Sequence, residues 1–314
     1  MDNIKFRVTK EEMGIRLDQY LASKLEHVSR SQIQKLIQKG EVTVSGYKDQ
    51  VKPSYRLQEH QLIFLTIPDE PILSPKKIPL DILYEDQSIV VLNKPTGMIV
   101  HPGAGNNETT LVEGLLASRD LPIDDDPARP GVVHRLDKDT SGVMVMAKTY
   151  HAMNDLKRQF AHRKVCKLYV ANVEGKIGEQ EGLIDAPIGR DLLNPRRMSI
   201  IPRGRKAQTE FRVLARTNDS TLLLVHLLTG RTHQIRLHMR YIGHCVIGDK
   251  LYGHANTRLM LHAWYLAFIH PESNQPVSFT SALPSEFCLP QAVSLQEIAG
   301  KFHCPCTMCI APSK

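Results

Sequence analysis

Residues 67–77, IPDEPILSPKK, carry three prolines and neither helical nor strand periodicity. Each proline lacks a backbone donor and fixes φ at about −65°, so no helix or central strand runs through this stretch. It reads as a semi-rigid linker. A chain of 314 residues interrupted at this point folds as a small unit followed by a large one.

In the small unit, 14–66, Leu17, Tyr20, Leu21 and Leu25 fall at helical spacing, and so do Ile33, Leu36 and Ile37. Ser29 and Gln32 form a capping box that starts the second helix near residue 30, and Gly40 closes it. EVTVSG and HQLIFLTI supply two strands, which makes this a small α/β module. From about residue 78, strand-like runs (SIVVLNKP, GVMVMAKT, CKLYVANVEG, TLLLVHLL) mix with helical ones near 110–118 and 150–162. Regular βαβ intervals are few, so the expected class is α+β on a mixed, mostly antiparallel sheet over 78–290. Residues 291–314 are expected to be a Cys-rich extension whose default reading is a disordered tail.

The start, MDNIKFRVTKEEMG, has no apolar h-region, and no window approaches the roughly 20 apolar residues of a spanning helix. LMLHAWYLAFI suits a buried strand or a buried helix. A cytoplasmic chain without membrane contact is expected. The net charge of +7, with pI near 9.0, leans toward a polyanionic partner. Seven Lys and Arg against three acids lie between 24 and 56, Lys35 and Lys39 among them. Between 187 and 240 there are eleven against three, and ten of the eleven are arginine, the side chain best shaped to fork onto phosphate or stack on a base. That bias points to nucleic acid.

HRLDKDTSG, 134–142, holds two aspartates. A D-x-D-x-T phosphotransferase loop would need an apolar strand before the first aspartate, and His134 and Arg135 stand there instead. Asp139, followed by Thr140, Ser141 and Gly142, suits a turn. Asp137 could cap that turn too, or one of the two could be an ionised nucleophile or base, which needs cations nearby. TGRTHQIRLHMR brings Arg231, Arg236 and Arg240 close in sequence. Arg236 lies between apolar Ile235 and Leu237, the setting of a buried guanidinium that must be paired.

GVVHRLDKDTSGVMVMAKT resembles the second motif of the RluA-type family of pseudouridine synthases, which isomerise uridine to pseudouridine in RNA. VVLNKPTGMIVHPGAG (90–105) resembles the first motif, CKLYVANVEG (166–175) the tyrosine-bearing strand, and TGRTHQIRLHMRYIGHCVIGDKLYG (229–253) the third motif. RLMLHAWYLAFIHP resembles the closing segment, and residues 14–66 resemble an S4-type RNA-binding domain.

The resemblance implies that Asp137 is the nucleophile and that Tyr169 packs on the target base and helps proton transfer from C5. Arg236 would pair with the aspartate, with Arg231 in reserve. Arg135 would hold the flipped-out state, and Leu237 would line the base pocket. His101, between Gly97 and Gly103, would shape a loop at the RNA-binding site, and Lys35 and Lys39 would contact RNA from the small domain. The N1–C1′ bond breaks and the uracil rejoins through C5, so neither metal nor redox cofactor is called for. The aspartate could attack C1′, attack C6 or remove a proton at C2′. A uridine must leave its stack to react.

The family's large-subunit ribosomal enzymes share this architecture, so rRNA is the preferred partner of an expected monomer, with tRNA as the alternative substrate. A ribosome-assembly factor that only binds RNA is the competing class. His233, His238 and His244 lack a convincing metal-ligand spacing. The tail residues His303, Cys304, Cys306 and Cys309 could supply four zinc ligands but lack paired knuckles.

Overall fold

The computed structural model describes residues 2–302, apart from 26–27, 29, 48, 68–72, 104–107, 125, 192–193, 195–196 and 256. The expected capping box at Ser29 and the thiol cluster of the tail therefore lie outside the described residues. The chain divides into two compact units, Met1–Ile72 and Leu73–Lys314, and the division falls within the proline segment.

The first unit contains β1 (Asp2–Arg7), α1 (Leu17–Lys24), α2 (Arg30–Lys39), β2 (Val42–Val44) and β3 (Leu62–Ile67). The strands form an antiparallel sheet in the order β1-β3-β2. The unit starts earlier than the expected residue 14, because β1 pairs with β3 from Asp2↔Ile67 to Arg7↔Leu62. DNIKFR offers only Ile4 and Phe6 as apolar alternates, and its pairing with a distant strand is what makes it a strand.

The helices bury Leu17, Tyr20, Leu21, Ile33 and Ile37 against Val42, Val44, Ile63 and Leu65. Fully buried Asp18 accepts hydrogen bonds from Arg16, Arg30 and Gln34. Burial alone would raise the Asp18 pKa, but the two guanidinium groups and the amide hold it well below the usual range. Much of the basic cluster here is thus structural. Arg30 pairs with Asp18, Lys24 with Glu12, and Arg56 donates to the Gly14 carbonyl. Lys39 and Lys52 are exposed, while the side chain of Lys35 lies outside the described residues.

The second unit is α+β. Its strands are β4 (Asp81–Glu85), β5 (Ile89–Lys94), β6 (Ser141–Ala147), β7 (Cys166–Glu174), β8 (Glu181–Asp185), β9 (Ile188–Arg190), β10 (Met198–Ile200), β11 (Gln208–Arg216), β12 (Ser220–Leu227), β13 (Leu261–Ile269) and β14 (Pro276–Thr280). Its helices are α3 (Leu111–Leu116), α4 (Tyr150–Ala161), α5 (Gln234–Tyr241) and α6 (Leu295–Ala299). Nine strands form one sheet in the order β4-β5-β6-β13-β7-β12-β11-β8, with β14 on β13, and β9 and β10 make a separate ribbon. Every pairing in the large sheet is antiparallel except β6 with β13.

LMLHAWYLAFI becomes the strand β13, buried on both faces. Leu261, Ala263 and Phe268 join the main core, whereas Met260, Trp264 and Tyr265 join a second cluster that includes Phe287, Leu295, Ala299 and Phe302. Residues 291–302 thus belong to the fold rather than to an extension. The second face of β13 needs an apolar cover, and α6 with Phe302 supplies it.

The parallel pairing sets Ser141 beside His262 and Gly142 beside Ala263. Gly142 has φ of +118°, and a Cβ there would land on the Ala263 carbonyl. Only glycine lets the two backbones meet at this point. Gly142→Ala is expected to destabilise the second unit by about 2–4 kcal/mol, read from urea unfolding. A loss below about 0.5 kcal/mol would show that the strands separate freely.

Candidate active site

A cavity of about 570 Å³ opens beside the segment leading into β6, with walls from β7, the turn after β12 and the start of α5. It lies within the range of about 300–1,000 Å³ typical of small-molecule sites. Asp137, Tyr169, Arg135, Arg231 and Arg236 all line it. Asp137 is the sole acid among its described lining residues.

Amphipathic α5 turns Arg236 inward, leaving it 7% exposed. The Arg236 fork does not close on Asp137. Nε and Nη2 donate to the two Asp249 oxygens, each at 2.7 Å, while Nη1 lies 3.5 Å from Asp137 Oδ2. Asp249 also accepts the backbone N–H groups of Leu251 and Tyr252, both at 2.9 Å. Burial would raise the Asp249 pKa, but Arg236 and these amides hold it low. Burial would likewise lower that of Arg236, but Asp249 and Asp137 hold it high. Asp249 thus fixes the plane of the guanidinium, and the remaining edge faces Asp137.

The Tyr252 ring lies under the same guanidinium, 5.1 Å from its centre. Met198 N–H donates to the Tyr252 hydroxyl, which lies 2.8 Å from His233 Nδ1. The hydroxyl proton goes to Nδ1, because the opposite tautomer would aim the Nε2 lone pair at a carboxylate. Nε2–H then faces Asp137 Oδ2 at 3.9 Å. His233 holds this place in the left-handed region, φ 57° and ψ 22°, a strained setting for a non-glycine residue. Its pKa is lowered, first by burial and also by Arg236 and Arg135 against the opposing pull of Asp137, so the ring stays neutral.

Tyr169, on β7 between β12 and β13, is buried and makes no hydrogen bond among the described residues. Burial, then the Asp137 charge, pushes its pKa up, so it remains a phenol. The Asp137 loop is braced from behind by fully buried Lys94, whose ammonium donates to the carbonyls of Pro95, Met98 and Lys138 at 2.8–2.9 Å. Burial pushes Lys94 down to about 7, while Asp137 and Asp139 pull the other way. Thr96 Oγ1 donates to the Asp139 carbonyl, so Asp139 serves the turn through its backbone.

The structure separates other expected residues from these. Leu237 faces away from the cavity and packs with Ile188, Ala207 and Tyr252, while Ile235 and Leu261 supply apolar lining. The i, i+1 step on a helix turns a side chain by about 100°, which separates Leu237 from Arg236. Arg231 precedes α5 rather than sharing its turn with Arg236 and Arg240, and its Nε donates to the Lys206 carbonyl. Arg135 is exposed, with Nη1 3.4 Å from His101 Nε2. Both line a second cavity of about 250 Å³, with Lys138 and Gly103. Lys39 belongs to the first unit.

Sequence reasoning did not single out Asp249, Lys94 or Tyr252, and it weighed His233 only to set a metal role aside. GDKLYG carried a signal for the first. Gly248 has φ of +77° and its Cα faces the Arg258 backbone, which marks a tight turn presenting the next side chain inward.

A family model described as RNA pseudouridylate synthase matches residues 88–241, and an S4 domain model matches residues 15–63. An uncharacterized RNA pseudouridine synthase of Bacillus subtilis is 42% identical over 293 residues, covering 91% of this chain and 96% of its own. A ribosomal large subunit pseudouridine synthase D of Zymomonas mobilis is 39% identical, covering 90% of this chain and 94% of its own. Among solved structures, human RNA pseudouridylate synthase domain containing 1 aligns with a TM-score of 0.57 at 27% identity, over 70% of this chain and 93% of its own.

Asp249→Asn leaves a buried guanidinium short of its main counter-charge and is expected to cost about 3 kcal/mol of stability. Denaturant unfolding measures it. A loss under about 1 kcal/mol would mean that Asp137 alone suffices to pair Arg236.

Proposed function

The chain belongs to the RNA pseudouridylate synthase family, and on that premise we propose that it isomerises a uridine of large-subunit ribosomal RNA with Asp137 as nucleophile. The observation that carries this reading is the position of Asp137. It is the one described acid on the cavity wall, and it faces the free edge of a guanidinium that Asp249 already holds. Relatives named ribosomal large subunit pseudouridine synthase D support the substrate.

In this reading the S4-type module, 14–66, contributes RNA contacts through Lys39 and its neighbour Lys35. The segment 67–77 links it to the catalytic unit. In the same reading the enzyme is a monomer that works in the cytoplasm on ribosomal RNA.

The residues divide the work as follows. Arg236 orients Asp137 toward the reacting ribose and base without closing over both its oxygens. Tyr169 offers a ring face to the flipped uracil. As a phenol it relays the C5 proton, its oxygen accepting that proton while its own O–H proton passes to water in the cavity, and N1 of the turned uracil takes up a proton from solvent in exchange. Arg135, at the exposed rim, is placed to fill the space the uridine vacates. Ile235 and Leu261 exclude water, which strengthens the field of Arg236 on Asp137.

The test is tritium release from C5-labelled uridine, in EDTA, with large-subunit rRNA and tRNA offered separately. Wild type should release tritium from the large-subunit rRNA. Asp137→Asn should reduce release at least about a thousandfold, the scale of losing a nucleophile, at unchanged melting temperature. Release from tRNA alone would overturn the substrate, and release by Asp137→Asn at the wild-type rate would overturn the nucleophile.

A further inference from the structure

Six lysine and arginine residues line the large cavity against the single carboxylate of Asp137. Arg236 bonds Asp249, and Arg135 reaches His101. The other four are Arg163, Lys167, Arg205 and Arg231, of which Arg231 donates to the Lys206 carbonyl. None of them has a carboxylate partner among the described residues. They come from separate segments: Arg163 from the connection between α4 and β7, Lys167 from the start of β7, Arg205 from the loop before β11, and Arg231 from the turn after β12.

Two features mark this as a built site rather than a solvated surface. Lys167 is only partly exposed, and its ammonium approaches Gly230 with no hydrogen-bond partner among the described residues. Burial, then the charges of Arg163 and Arg231, push its pKa down to about 8, as expected of a cation crowded by like charges. Arg163 occupies a left-handed position, φ 58°, just past the end of α4. Glycine is the usual residue at such a helix end. An arginine is held there against its own backbone preference, with its side chain on the cavity wall.

We propose that Lys167, with Arg163, Arg205 and Arg231, binds the phosphodiester of the flipped target nucleotide itself. The inference rests on the uridine-flipping reading above and adds where the charged end of that nucleotide goes. Lys167 and Tyr169 are two residues apart on one strand, so they share a face about 6–7 Å apart. A nucleotide whose base lies on the Tyr169 ring spans that distance to its own phosphate. An anion seated there cancels the mutual repulsion of the four cations, and uracil alone would not.

The test uses the rRNA fragment carrying the target uridine, in three forms: unmodified, or with one neutral methylphosphonate on its 5′ or its 3′ side. Dissociation constants by filter retention report the phosphate site, and tritium release reports the catalytic reading. One of the two methylphosphonates should weaken wild-type binding by about tenfold, the effect of one charged hydrogen bond. Lys167→Met should weaken binding of unmodified RNA by a similar factor, lose nothing further on that methylphosphonate, and keep kcat. Lys167→Arg should restore binding.

Arg163→Gly separates the site from structure, because it should raise the melting temperature while weakening RNA binding. The proposal is overturned if neither methylphosphonate matters, or if the methylphosphonate and Lys167→Met effects multiply. It is also overturned if Lys167→Met lowers kcat at unchanged affinity, or if Arg163→Gly loses stability and keeps its affinity. If binding behaves as stated but wild type releases no tritium, the catalytic reading fails and the phosphate site stands.

Discussion

The bidentate pair between Arg236 and Asp249 is the contact on which the catalytic arrangement depends. A guanidinium buried on α5 must be neutralised, and a single long contact to Asp137 would not orient it. Asp249 fixes two of its edges, and the amides of Leu251 and Tyr252 in turn fix Asp249. The third edge is then aimed without any demand on Asp137. A carboxylate proposed as nucleophile is served by a counter-charge that does not occupy both its oxygens. Sharing one arginine between two aspartates provides that.

The same economy holds around the pair. Tyr252 lies under Arg236 and bonds His233, so one phenol sets both groups that face the Asp137 oxygen. The left-handed backbone of His233 is tolerated because this bond and the first turn of α5 leave it no alternative. On the other side, Lys94 and Thr96 hold the Asp137 loop through the carbonyls of residues 138 and 139. Both of these braces grip backbone, and the Asp137 side chain is left facing the cavity.

Long periodic segments were legible in the sequence. The helices α2 and α4 and the strands β5, β6, β7 and β12 stand where their patterns put them, because the period of burial matches the element in each case. Asp137, Tyr169 and Arg236 were legible as types in context, and the cavity brings them together. What escaped were long-range choices. Asp249 as the partner of Arg236 depends on a turn of GDKLYG folding back on α5, which no local pattern encodes. Leu237 was misplaced because apolar neighbours of a buried arginine face different directions on a helix. The cover of residues 291–302 follows only once β13 is known to have two buried faces.

Charge counts illustrate the same limit more sharply. Both basic concentrations suggested RNA contacts in the sequence, the arginine-rich one more strongly, yet the structure separates them by what each cation touches. In the first unit Arg16 and Arg30 neutralise buried Asp18, and Lys24 pairs with Glu12, so much of that positive charge holds the module together. At the cavity Arg163, Lys167 and Arg205 have no such carboxylate among the described residues, and the polypeptide tolerates their repulsion and a strained backbone at Arg163. Uncompensated charge gathered in a concave, partly buried place lowers the stability of the free protein and is relieved only when an anion arrives. The number of arginines therefore says little about where RNA binds. The absence of their counter-ions says more, and it points to the wall that carries Tyr169.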